Sequence, residues 1–212
     1  MKRPRLLLAD DHRIVVDGLR SILSSEYEIV GIVENGRELI ADATRLKPEI
    51  IVADIAMPQL NGLDAIAQLR REGCQAKIVF LTMHKDTTYA AKALAVGASA
   101  FVLKHSASTE LLTAVRAALS GKTYVTPEIA VQLERSTSTR MTLVKAHSLT
   151  TRQREVLQLF AEGRSAREVA KVLYISTRTA ENHKARIMDL LGLSTTAELV
   201  QYALRHGIIS AE

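Results

Sequence analysis

Glu49-Ile50-Ile51-Val52-Ala53-Asp54-Ile55-Ala56-Met57-Pro58 contains an apolar, β-branched run that ends on a carboxylate. Three other apolar runs end on a polar group in the same way. Leu6-Leu7-Leu8-Ala9 leads to Asp10-Asp11, Ile78-Val79-Phe80-Leu81 to Thr82, and Phe101-Val102-Leu103 to Lys104. In a parallel α/β sheet the C-terminal strand ends open onto one edge, and ligands bind there. Three carboxylates, one hydroxyl and one ammonium would therefore meet at one mouth. Such a group suits a divalent cation and a phosphoryl group.

Five runs carry the strand signal, at about residues 5–10, 28–33, 49–54, 77–82 and 100–104. Helical stripes fill the gaps: Ile14, Val15, Leu19, Ile22 and Leu23, then Leu39, Ile40, Ala43 and Leu46, then Leu63, Ile66 and Leu69. Ala90, Ala93, Leu94 and Val96 make the fourth, and Leu111, Leu112, Val115 and Leu119 the fifth. Strands alternating with helices of this length imply right-handed crossovers and a doubly wound parallel sheet covered on both faces.

Past Gly121 the strand signal stops. Thr126-Pro127-Glu128 reads as a helix start, and residues 135–140 as polar linker. From Leu149 onward the pattern is all helical. Thr150 with Gln153, Ser165 with Glu168 and Thr195 with Glu198 fit capping boxes, and Ser176 fits a simple N-cap. Gly163, Gly192 and Gly207 stand where helices should stop. Three segments result: 1–121, a linker with a short helix over 122–147, and a four-helix unit over 148–212.

The chain of 212 residues is 47% hydrophobic and 24% charged, ordinary for a globular protein, and has no Trp. One cysteine, Cys74, excludes an internal disulfide and fits a reducing compartment. Too few apolar residues follow the basic N-terminus for a signal peptide, and no apolar stretch suits a membrane span, so a cytoplasmic protein is expected. Residues 1–121 carry a net charge of +1 and residues 122–212 a net +4. The excess lies on the side that a polyanion would require.

Crowded carboxylates at Asp10, Asp11 and Asp54 favour a hard cation such as Mg²⁺. A carboxylate can attack phosphorus to give an aspartyl-phosphate, and that transfer needs positioning and charge neutralisation above all. Lys104 and Thr82 supply both. Residues 5–121 thus resemble a response-regulator receiver domain, in Asp10-Asp11, Asp54, Pro58, Asn61-Gly62, Thr82 and Phe101-Val102-Leu103-Lys104. The resemblance implies a flavodoxin-like five-stranded sheet of order 2-1-3-4-5 and a sensor histidine kinase that phosphorylates Asp54. It further implies Mg²⁺ on Asp11, Asp54 and the Ala56 backbone carbonyl, with Asp10 assisting through water. Thr82 and Phe101 would form the switch pair, although Phe101 also fits a plain core residue. His84, two residues past Thr82, is expected to tune the lifetime of the phosphoryl group. His12 is expected only to start a helix. A multiple-turnover phosphatase is the enzymatic alternative, but Asp54-Ile55-Ala56-Met57-Pro58 lacks the second carboxylate of such sites. No enzymatic activity is expected beyond the protein's own phosphorylation and dephosphorylation. A DNA-binding protein without a phosphoryl switch is the other alternative.

In the C-terminal unit, Ala180, Ile187 and Leu191 form the inner stripe of the third helix. Arg178, Glu181, Asn182, Ala185 and Asp189 then face outward, flanked by Lys184 and Arg186. Such a face could read a major groove, with Asn to adenine, Glu to cytosine and Ala against a thymine methyl. Residues 148–209 resemble the LuxR-type helix-turn-helix of the NarL/FixJ regulators. That resemblance implies binding to double-stranded promoter DNA and a homodimer formed on phosphorylation. Glu181 stands where some members carry a basic residue, which leaves phosphate anchoring to Arg178, Lys184 and Arg164 or Lys171. His183 is expected as partly buried packing. The last helix, with Leu199, Val200, Tyr202 and Ala203, is either core or a dimer surface.

Overall fold

The computed structural model describes residues 2–83, 85–137 and 149–209. The chain divides into two compact units, one built on a sheet and one on the last four helices. In the first unit, strands β1 (Arg5–Ala9), β2 (Glu28–Val33), β3 (Ile50–Ala53), β4 (Lys77–Thr82) and β5 (Ala100–Leu103) alternate with helices. The helices are α1 (Arg13–Leu23), α2 (Gly36–Leu46), α3 (Gly62–Arg71), α4 (Thr87–Ala95) and α5 (Ala107–Leu119). Strand β6 (Tyr124–Val125) and helix α6 (Pro127–Thr137) complete it.

All the strands pair in parallel, in the order β2-β1-β3-β4-β5-β6. The doubly wound order expected for the first five strands is present, and β6 extends it at one edge. Residue alternation sends side chains to both faces. Leu6, Leu8, Ile50, Val52, Val79, Leu81 and Val102 join α1 and α5 in one core. Leu7, Ile51, Ile78, Phe80 and Phe101 lie between them in sequence, equally buried on the other face. This is why the strands read as continuous apolar runs rather than alternating ones.

The sheet's topology also locates the site. The chain leaves β1 to add β2 on one side and then returns to add β3 on the other. At such a switch point the two flanking connections diverge and leave a crevice beyond the strand ends. Asp10 and Asp54 stand at its two sides: the Asp10 N–H donates to Val33 O at 3.0 Å and the Asp54 N–H to Ala9 O at 2.8 Å. Asn61 caps α3 by accepting from the Asp64 N–H, and the Gly62 N–H donates to Ile55 O at 2.8 Å. A methyl group on Gly62 would lie 2.0 Å from the Asp54 carbonyl oxygen. Only glycine lets the loop fold back this closely on the end of β3.

β6 falls within the stretch expected as linker, and side chains explain its pairing. Glu110 of α5 accepts hydrogen bonds from Tyr124 Oη at 2.9 Å and Thr126 Oγ1 at 2.8 Å. Thr126 Oγ1 in turn accepts from the buried Leu103 N–H at 3.2 Å. These bonds tie residues 124–126 to the edge of β5, and α6 then packs near α4. Burial, with the Glu110 carboxylate adding to it, pushes the Tyr124 phenol up to about 12.

The second unit contains α7 (Thr151–Ala161), α8 (Ala166–Leu173), α9 (Thr177–Leu191) and α10 (Thr196–Arg205). Capping boxes at Thr150, Ser165 and Thr195 and the Ser176 N-cap are all formed. Gly163, Gly192 and Gly207 adopt positive φ of 80°, 66° and 62°, as expected of helix stops. Val156, Leu159, Val169, Leu173, Ala180, Ile187 and Leu199 close one aliphatic core. No described helix is long and apolar enough to cross a membrane.

Candidate functional site

Adjacent strand ends bring the expected pocket residues together. Asp10, after β1, and Asp54, after β3, are 2% and 3% exposed. Lys104, after β5, reaches between them: its Nζ lies 2.8 Å from Asp10 Oδ2 and 2.7 Å from Asp54 Oδ2. The bond to Asp54 is a well-aligned hydrogen bond. The approach to Asp10 Oδ2 is an ion pair without hydrogen-bond alignment, and this buried oxygen has no hydrogen-bond partner. Thr82 closes β4 in register with Leu103, the residue before Lys104, and is wholly buried. Phe101 is equally buried and pairs across the strands with Phe80, so in this structure it is a core residue.

Asp11 is more exposed and turns towards His12. His12 is the residue before α1, as the sequence led one to expect, but its side chain makes no capping bond. Its Nδ1 instead lies 2.9 Å from Asp11 Oδ1 and 3.3 Å from Asp10 Oδ1. The His12 N–H donates to Asp10 Oδ1 at 3.0 Å. The Ala56 N–H donates to Asp54 Oδ1 at 3.2 Å, which brings the backbone of this residue against the carboxylate. His84 lies outside the described residues.

Charge sets the chemistry of this pocket. Burial pushes the Asp54 carboxyl up to about 6, against the opposing pull of Lys104, and the Asp10 charge adds to the rise. Lys104 is raised in spite of its own burial, because Asp54 and Asp10 both favour its charged form. One cation faces two anions, so its charged form is favoured, while for Asp54 the loss of water outweighs the pull of the ammonium. The Asp54 direction belongs to the metal-free pocket, because a bound cation would favour the carboxylate strongly. Among the described residues, Asp10, Asp11, His12 and Asp54 offer ligand atoms within 4.8 Å of one another. Hard oxygen donors, crowded charge and a buried oxygen without a hydrogen bond fit a divalent cation.

In the second unit, Ala180 and Ile187 face the core of α9, while Arg178, Glu181, Asn182, Ala185 and Arg186 are exposed. Lys184 stands apart from them. Its Nζ donates to Thr196 Oγ1 at 3.0 Å and lies 4.9 Å from the Phe160 ring centroid, so a cation–π contact draws it to the core side. Arg164 is held by Glu162 at 3.1 Å, whereas Lys171 is exposed. His183 is partly buried, as expected.

Residues 6–116 match the response regulator receiver domain family, and residues 147–203 match the LuxR family of bacterial regulatory proteins. The transcriptional regulatory protein MctR of Rhizobium johnstonii is 35% identical over 213 residues, covering 97% of this chain and 95% of its own length. The response regulator protein VraR of Staphylococcus aureus is 32% identical over 207 residues, covering 97% and 98%. Among solved structures, the RcsB response regulator of Salmonella typhimurium aligns with a TM-score of 0.65 at 27% identity over 99% of this chain and all of that one. A complex of RcsB with DNA aligns with a TM-score of 0.60 at 29% identity, covering 95% of this chain and 98% of that one. The chain belongs to the response regulators of the NarL/FixJ type, which join a receiver domain to a LuxR-type helix-turn-helix.

Proposed function

We propose that this protein is the cytoplasmic output of a two-component system, phosphorylated on Asp54 by a sensor histidine kinase. The domain bounds we assign are a receiver over 1–121, a connecting segment over 122–147 and the DNA-binding unit over 148–212. Lys104, lodged between Asp10 and Asp54 at the switch point of the sheet, is the observation that carries this reading.

The chemistry follows from the charges. With a carboxyl near 6, Asp54 is mostly ionised at neutral pH and can act as a nucleophile. Its oxygen forms a bond to phosphorus while the P–N bond to the kinase imidazole breaks, and no redox step or free water is involved. Lys104 holds a positive charge where phosphoryl oxygens gather, and the Thr82 hydroxyl can donate to another. Asp10, Asp11, Asp54 and the Ala56 carbonyl would hold Mg²⁺, as receiver domains do at their acidic pocket; the ion supplies charge neutralisation at the oxygens. Thr82 with Phe101 would carry the switch. The protein's own dephosphorylation is the only turnover in this account.

The output is sequence-specific binding to double-stranded promoter DNA, as a homodimer once phosphorylated. Asn182, Glu181 and Ala185 would read bases, while Arg178 and Arg186 would hold phosphates. Lys184 would do so only after leaving Phe160 and Thr196. Phosphorylation would act by shifting a pre-existing equilibrium between closed and active states.

Selection of bound DNA from a random pool, with and without a phosphodonor and Mg²⁺, tests this reading. A paired-half-site sequence enriched only with both additions is the expected result. The same enrichment in the Asp54→Asn variant, responding to phosphodonor, would contradict it.

A further inference from the structure

Thr126 lies outside the pocket, yet it holds the residue beside Lys104. Its N–H donates to Phe101 O at 2.9 Å, carrying the β5–β6 ladder one residue past Val125. In a regular parallel ladder the residue that donates there accepts from Leu103 N–H with its own carbonyl. Here the chain turns into α6 at Pro127, and the Thr126 carbonyl accepts instead from the Ile129 and Ala130 N–H groups at 2.9 and 3.0 Å. The Thr126 hydroxyl takes the vacated place, accepting from the buried Leu103 N–H at 3.2 Å. Its hydrogen goes to Glu110 Oε2 at 2.8 Å, which turns its lone pairs to Leu103. Glu128, two residues on, faces His105 at 3.7 Å and Lys85 at 3.5 Å. Those pairs are exposed and contribute little, whereas Thr126 is 3% exposed and Leu103 wholly buried. One residue thus ties the start of α6 to the backbone that carries the ammonium between Asp10 and Asp54.

We propose that Thr126 is a positioning residue for phosphoryl transfer: through Leu103 it sets the place of Lys104, and through its carbonyl it links that place to the start of α6. The inference rests on the reading of Asp54 as the phosphoryl acceptor. When Asp54 carries the group, Lys104 Nζ exchanges a carboxylate oxygen for a phosphoryl oxygen, and the shift reaches Thr126 across one hydrogen bond. Coupling of this kind is reciprocal, so Thr126 acts on the pocket as the pocket acts on α6.

Phosphoramidate with Mg²⁺, added to the full-length protein and followed by intact-mass spectrometry, tests the proposal. Circular dichroism gives the folded fraction, so each rate is expressed per folded molecule. Thr126→Val keeps the shape and removes the acceptor; its rate should fall about tenfold, since misplacement by about 1 Å can cost about a hundredfold. Thr126→Ser should restore the rate to within about twofold of the wild type. Tyr124→Phe loses a different bond to the same Glu110 and should keep the wild-type rate although it too is destabilised. A Thr126→Val rate within about twofold of the wild type, or an equal fall in Tyr124→Phe, would overturn the proposal. Should Thr126→Val not fold, Glu110→Ala, which frees the hydroxyl to turn away from Leu103, must show the fall in its place. Beryllofluoride with Mg²⁺ should also change hydrogen exchange at the Leu103 amide by about threefold or more in the wild type, and an unmoved amide would refute the link. If the wild type takes no phosphoryl group on Asp54, the underlying reading fails as well. If it does while Thr126→Val keeps pace, only the positioning role falls.

Discussion

Replacing Asp54 with asparagine should make the metal-free protein more stable at neutral pH and flatten its pH dependence. Burial raises the Asp54 carboxyl from 3.8 to about 6. The folded state therefore binds the proton more tightly than the unfolded chain does. Stability from this group is full below 3.8 and is lost as pH rises through about 6. The shift of roughly two units corresponds to about 3 kcal/mol, at 1.36 kcal/mol per unit. Of this, about 2 kcal/mol should be lost between pH 4.5 and 7.5. Urea unfolding followed by circular dichroism, in chelator, reads the difference directly. The wild type should lose that amount relative to Asp54→Asn across the interval. Adding Mg²⁺ at pH 7.5 should then restore the wild type by about 2.7 kcal/mol at a hundredfold excess over its dissociation constant, and the variant by less. Identical pH profiles for the two proteins would refute the electrostatic account of the pocket.

Further substitutions at four positions test the geometry. Gly62→Ala should cost about 2–4 kcal/mol, because its methyl group meets the Asp54 carbonyl oxygen and the loop must move. A thermal melt measures the loss, and phosphoryl acceptance should fall with it. Thr126→Ala strips the buried Leu103 N–H of its acceptor and should cost about 1–3 kcal/mol, with faster amide exchange at Leu103. Thr126→Ser should keep most of that stability. Asn182→Ala should lose about 1–3 kcal/mol on the selected DNA and little on random DNA. Arg178→Ala should weaken binding to all sequences and reduce the salt slope by about 1, both read by fluorescence anisotropy across a salt series.

The pocket was legible because its geometry depends on one simple regularity. A polar residue that ends a parallel strand stands at the sheet's C-terminal edge, so Asp10, Asp54, Thr82 and Lys104 could be grouped from spacing alone. The caps were legible for a similar reason: Thr150, Ser165, Ser176 and Thr195 act within three residues of themselves. Features that depend on distant side chains were not. Strand β6 has only two residues and owes its place to Glu110, fourteen positions before Tyr124. Lys184 looked like a flank of the outer face of α9, yet Phe160 and Thr196 draw it to the core side. The neighbouring turn and helix decide that choice, and nothing near Lys184 in sequence marks it. His12 read as a helix start, which its backbone is; the direction of its ring depends on two carboxylates that only the folded turn aims at it.

Mass spectrometry of the intact protein after incubation with a small-molecule phosphodonor tests the central claim most directly. The account predicts one acid-labile phosphoryl increment that requires Mg²⁺, maps to Asp54 after borohydride reduction, and is absent from Asp54→Asn. An increment that maps elsewhere, or that persists in Asp54→Asn, would contradict it.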